Sequence, residues 1–112
     1  ELLELIESAK QVHIADAVYD YIVDLVDATR SSELVELGVS PRGALALCRM
    51  AKAHAFVRGG DFVTPEDVYQ VFDDVCAHRL VLSAKARLGK ITAREITEQL
   101  RQQVPVPQVA QL

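Results

Sequence analysis

Apolar positions recur at helical spacing through most of the chain. Val18, Tyr21, Ile22, Leu25 and Val26 fall at i, i+3, i+4, i+7 and i+8, one stripe of an amphipathic helix that fades at Thr29-Arg30-Ser31-Ser32. Upstream, Leu2, Leu3, Leu5 and Ile6 predict a helix over residues 1–10. Val12, His13 and Ile14 form a brief extended link, and Asp16 is the expected cap of the helix that follows. Residues 31–39 read as a linker holding a helical turn, stopped by Gly38. A third helix runs from Pro41 to Arg58, opened by Ser40-Pro41 and ended by Gly59-Gly60. Phe62-Val63 is a short extended lead-in. Thr64 caps a fourth helix through Arg79, with Val68, Val71, Phe72, Val75 and Cys76 inward. Residues 81–89 show no period and read as irregular. Thr92-Ala93-Arg94-Glu95 is a capping box opening a fifth helix to Gln103. The prolines of Val104-Pro105-Val106-Pro107 make residues 104–112 an extended tail. No strand pattern of useful length is present. The expected class is all-α, a bundle of four to five helices in one domain over residues 1–112.

The third helix has two faces. Ala44, Leu47, Cys48, Ala51 and Ala55 form an inward face whose small groups let another helix approach closely. Arg42, Ala46, Arg49 and Ala53 fall on the opposite face. That face is basic, and the helix from Pro41 to Arg58 contains no acid, whereas a solvated face usually mixes both signs.

Composition narrows the class. Half of the 112 residues are apolar, enough for a modest core, and the net charge of −4 argues against a protein that coats nucleic acid or anionic membrane. No apolar run approaches the roughly 18–20 residues of a membrane span, and the acidic, amphipathic start is not a signal peptide. The first residue is Glu1, not Met, which suggests a piece of a longer chain. Cys48 and Cys76 sit singly inside helical patterns and read as small buried hydrophobes of a reducing cytoplasm.

Candidate chemistry is sparse. No phosphate-cradling G-x-x-x-x-G-K-[ST] is present, and Gly59-Gly60 stops a helix instead of starting one. His13, His54 and His78 lie in separate segments with no paired ligand spacing, so no metal site is expected. Glu66-Asp67 and Asp73-Asp74 read as cap or exposed helix side. What stands out is Arg42. A cation in a first turn opposes the helix dipole by about 0.3–1 kcal/mol. Thr64-Pro65-Glu66-Asp67, the other polar-Pro start, places two acids there, and Arg94 in a third start is followed at once by Glu95. After Arg42 comes Gly43, which compensates nothing and leaves room beside the backbone. An anion at this point would meet free N–H groups, the dipole and a guanidinium fork together. The competing reading is a solvated or interdomain arginine.

The run Gly38-Val39-Ser40-Pro41-Arg42-Gly43-Ala44-Leu45-Ala46-Leu47 resembles the sensor 2 segment of MoxR-type AAA+ ATPases. So do Ala51-Lys52-Ala53-His54-Ala55-Phe56, Asp61-Phe62-Val63-Thr64-Pro65-Glu66-Asp67-Val68 and His78-Arg79-Leu80-Val81-Leu82. The similarity covers nearly the whole chain in order and spacing. It implies the helical lid of such an ATPase, packed over ATP and Mg2+ that a separate core domain binds through Walker motifs absent here. It makes Arg42 the sensor 2 arginine, reaching the terminal phosphate. It suggests Val12, His13 and Ile14 beside the adenine, against simple packing, and Arg49 facing the core domain or a neighbouring subunit, against solvation. Expected partners are the core domain of the same chain, neighbouring subunits of a ring (usually a hexamer) and von Willebrand A domain proteins, in chaperone-like remodelling. No ATP hydrolysis is expected of the 112 residues alone. One alternative is a stand-alone helical interaction module that docks an acidic partner on its basic, alanine-rich face. A helix-turn-helix-like DNA binder is another, disfavoured by the acidic balance.

Overall fold

The computed structural model describes residues 12–107. The helix expected over 1–10 and the end of the tail, 108–112, lie outside them. The described residues form the helices α1 (Asp16–Ser31), α2 (Pro41–Val57), α3 (Pro65–Cys76), α4 (Ala84–Leu88) and α5 (Ala93–Gln103). A 3-10 turn at Ala77–Arg79 follows α3, and β1 (Val35–Leu37) pairs antiparallel with β2 (Val81–Leu82). The all-α bundle is as the periodicity predicts, with this small ribbon added.

Each helix start has a local cause. Ser40 accepts a hydrogen bond from the Gly43 N–H at 3.2 Å, with Pro41 in the first turn. Thr64 and Asp67 form a reciprocal capping box, as do Thr92 and Glu95. α1 differs from expectation. Ala15 is its N-cap, with no side-chain hydrogen bond, and Asp16 lies inside the first turn, where it complements the dipole instead of capping. α2 ends as Gly59-Gly60 predicts. Gly59 takes φ +85°, and the N–H of Gly60 reaches back to Ala55 O at 2.8 Å.

Two other segments depart from the sequence reading. The linker over 31–39 holds β1 instead of a helical turn, and residues 81–89 hold β2 and α4 instead of irregular chain. Both strands are too short to show a period, and each pairs with a segment far along the chain, Leu37 with Val81 and Val35 with Leu82. The Ser83 N–H extends the ribbon to Leu34 O at 3.0 Å, then the Ser83 hydroxyl caps α4.

The core is continuous. The inward stripe of α1, Val18, Tyr21, Ile22, Leu25 and Val26, is buried throughout, as are the five residues expected on α3. The most extensive helix contact joins α2 to α3, where Gly43, Leu47, Ala51 and Ala55 turn inward. Ala44 and Cys48 pack against the core but are only half-buried, because they also line an open groove beside α1. Cys76 is fully buried, and that burial pushes its thiol up to about 12, opposed by Arg79, so it serves as a small hydrophobe. Among the described residues no helix is long and apolar enough to cross a membrane.

Candidate functional site

The chain segment that leads into α2 is fixed from both sides. The Thr29 hydroxyl donates to Val26 O at 2.6 Å and accepts from the Val39 N–H at 3.0 Å. Arg30 Nε donates to Val39 O at 3.0 Å. Val39 itself is fully buried. Gly38 is required for this approach: a Cβ there would stand 2.8 Å from both Arg30 Cγ and Thr29 Oγ1. Gly38 therefore serves close packing of the linker on α1, and not the end of a helical turn.

Arg42 projects from that fixed start. It is exposed, it lies in a first turn with no acid, and no hydrogen bond or ion pair holds it among the described residues. Gly43 behaves differently from expectation. It is buried, and a Cβ on it would meet Val39 Cγ1 at 2.7 Å and Arg79 Cδ at 3.2 Å. The room beside the backbone is filled by this chain's own side chains. Arg79, tied through Nε to Val75 O at 3.1 Å, shares with Arg30, Ser40 and Pro41 the lining of a cavity of about 350 Å3. Two arginines that sequence reasoning did not single out as site residues thus line a cavity beside the start of α2. Arg30 and Arg79 belong to other elements, and only the fold brings them near.

The remaining candidates lie elsewhere. Val12 and Ile14 are buried in the core, and His13 is exposed. The His13 N–H donates to Asp61 O at 3.2 Å and its carbonyl accepts from Val63 N–H at 2.8 Å. This bridge sits just past the C-terminus of α2, about 24 Å along the helix axis from Pro41 at 1.5 Å per residue. The structure does not bring His13 and Arg42 into one cluster. Arg49 is exposed on the face of Arg42, with Ala46 half-buried between them and Ala53 half-buried one turn beyond Arg49.

Asp67 caps α3 as the sequence predicts, but the exposure of these carboxylates differs from expectation. Asp67 and Asp73 are buried, while Glu66 and Asp74 are exposed. Asp67 accepts from Arg58 at both oxygens (2.8 and 2.7 Å), from the Thr64 N–H at 2.7 Å, and meets His54 Nδ1 at 2.7 Å. It joins the end of α2 to the start of α3 and is structural. Asp73 lies 3.5 Å from Arg101, which also stacks 4.3 Å over the Tyr69 ring. Both acids turn inward because a cation from another element meets them there, which helical phase alone does not reveal.

Comparisons with known proteins agree with this architecture. The AAA lid domain family matches residues 27–100. The chaperone MoxR1 of Mycobacterium tuberculosis is 38% identical over 118 residues, spanning 97% of this chain and 31% of that protein. Protein MoxR of Paracoccus denitrificans is 37% identical over 84 residues, spanning 63% of this chain and 25% of that one. A crystal structure of an ATPase candidate from Cytophaga hutchinsonii superposes with a TM-score of 0.83 at 32% identity, covering 91% of this chain and 34% of that one. The chain spans about a third or less of the length of these relatives. The family match covers well over half of the chain, and the chain belongs to the AAA lid domain family, as a lid of the MoxR type.

Proposed function

We propose that this lid senses the terminal phosphate of ATP through Arg42, within a longer AAA+ ATPase whose core domain binds the nucleotide. The observation that carries the reading is an exposed guanidinium without an acidic partner among the described residues, in the first turn of an acid-free helix whose start is clamped to α1. A clamped start fixes the backbone that carries Arg42, and the positive end of the helix dipole favours an anion there. The groups around Arg42 fit a phosphate and offer no carboxylate to Mg2+, so ATP and Mg2+ rest chiefly on the core domain. ATP supplies a terminal phosphate that carries more charge near the lid before hydrolysis than after release. Arg42 would hold that phosphate by a bidentate, charge-assisted contact, so lid position differs between ATP and ADP. Of the Val12–Ile14 run, only His13 presents its side chain outward, so a contact with the base would fall to it. Assembly of the parent into a ring, and chaperone-like remodelling with von Willebrand A partners, complete this reading.

In the parent protein, Arg42→Ala should lower ATP turnover, or weaken ATP relative to ADP by about 1.5–3 kcal/mol, the scale of a charged hydrogen bond. Steady-state hydrolysis and nucleotide titration of the variant provide the check. Unchanged turnover and unchanged discrimination would remove the sensing role. Because Arg42 is exposed, the variant should fold as the original does.

A further inference from the structure

Between α1 and α2 runs an open groove of about 480 Å3. Its floor and lips are apolar: Ile22 and Val26 beneath, Tyr19 and Val23 on one lip, Leu45 on the other. The lip residues are unusually exposed for their size, at 43% (Tyr19), 53% (Val23) and 56% (Leu45). The lining of α1 extends from Tyr19 to Arg30, about 16 Å or three helical turns.

The helix surfaces that flank the two walls differ in charge. Along α1, Asp16, Asp20, Asp24 and Asp27 recur at i, i+4, i+8 and i+11, so they form one exposed strip beside Tyr19 and Val23. Asp27 is partly met by Arg30 at 3.8 Å; Asp20 and Asp24 have no cation among the described residues. On the α2 side the sign reverses. Lys52 stands one turn beyond Cys48, which lines the groove, and Arg49 lies next to Leu45 on the outer surface. An apolar trough three turns long, with Asp20, Asp24 and Asp27 beside its α1 lip and Arg49 and Lys52 adjoining its α2 lip, matches one kind of object in shape and in charge.

We propose that this groove docks an amphipathic α-helix from a partner protein, with Lys or Arg along the edge facing α1 and Asp or Glu along the edge facing α2. The apolar stripe of that helix supplies the affinity and the two charged rims fix its rotation and direction. The inference goes beyond phosphate sensing and does not require Arg42 to meet a nucleotide.

The test is fluorescence anisotropy with a labelled synthetic helix of about 14 residues carrying a Leu stripe, a Lys edge and a Glu edge. A second peptide carries Glu on both edges. Both are titrated with the 112-residue chain and with the longer parent. The mixed-edge peptide should bind both proteins, at least about tenfold tighter than the all-acidic peptide, and more weakly as salt rises. Val23→Glu and Leu45→Glu should each reduce binding by about tenfold or more; both positions are exposed, and circular dichroism checks the fold. The double variant Asp20→Asn with Asp24→Asn should weaken binding several-fold and flatten the salt dependence. Equal binding of the two peptides, or indifference to Val23→Glu and Leu45→Glu, overturns the proposal. So does binding to the short chain but not to the parent, which would assign the groove to the parent's own remaining domain. Concentration-dependent self-association abolished by Leu45→Glu would assign it to a second copy and overturn the proposal equally.

Discussion

At Asp67 two structural demands meet in one carboxylate: it closes the capping box of α3 and it anchors Arg58 and His54 from the end of α2. Burial by itself raises a carboxyl pKa. Here the hydrogen bonds from Arg58, the Thr64 N–H and His54 win, and they hold Asp67 well below the usual carboxylate range. A group whose folded pKa lies below its unfolded value stabilises the protein above that unfolded value, about 3.9 for Asp. The contribution is then lost as pH falls through the folded value. Asp67→Asn should therefore cost about 2–3 kcal/mol at neutral pH, less than a fully buried pair because Arg58 is half solvated. The gap between variant and wild type should stay constant from pH 7 to 5 and narrow below about pH 4. Urea denaturation across that range measures both; a gap independent of pH would show that the charge is not what matters.

Among the elements, α4 is followed, two residues past its end, by the one non-glycine residue at positive φ in the described chain, Lys90 at 57°. It closes the helix: the N–H of Ile91 reaches Ala86 O at 2.9 Å across it. A left-handed conformation costs a residue with a Cβ about 1–2 kcal/mol, and glycine gives back part of that gain as unfolded-state entropy. Lys90→Gly should therefore raise stability by about 0.5 kcal/mol, and Lys90→Val should lower it by more than about 1 kcal/mol. Thermal melts of the two variants check the sign of each. This element also marks where the sequence stopped being readable. Starts written in local chemistry, such as Ser40-Pro41, Thr64 to Asp67 and Thr92 to Glu95, were legible because cap and acceptor lie within four residues of each other. The β1–β2 ribbon was not, since two or three residues show no period and their partner is far along the chain. The left-handed position past α4 falls to Lys90, a residue type that does not signal one. In the candidate site, Arg42 was legible as a cation in the wrong place, whereas Arg30 and Arg79 needed the fold. The burial of Asp67 and Asp73 needed Arg58 and Arg101 to be positioned first.

At the scale of the whole molecule, charge is segregated more than the net value of −4 suggests. The outer strip of α1 is acidic while α2 carries no acid at all. Such separation gives the lid a positive end at the start of α2 without making it a general binder of polyanions. Among the described residues, one guanidinium and a helix start would make only part of the proposed phosphate site. The 112-residue chain alone should accordingly bind ATP no more tightly than about millimolar, near −4 kcal/mol. Isothermal calorimetry decides this: micromolar affinity would mean that these residues hold a nucleotide unaided.

The peptide around Val39 is pinned at its N–H by Thr29 and at its carbonyl by Arg30. The hinge of any nucleotide-driven swing therefore cannot lie between α1 and α2, because that joint has no slack. If Arg42 is pulled, α1 is pulled with it, and the motion travels as a rigid lever to the α1 surface, where the Asp strip and the exposed Tyr19 and Val23 would carry the stroke outward.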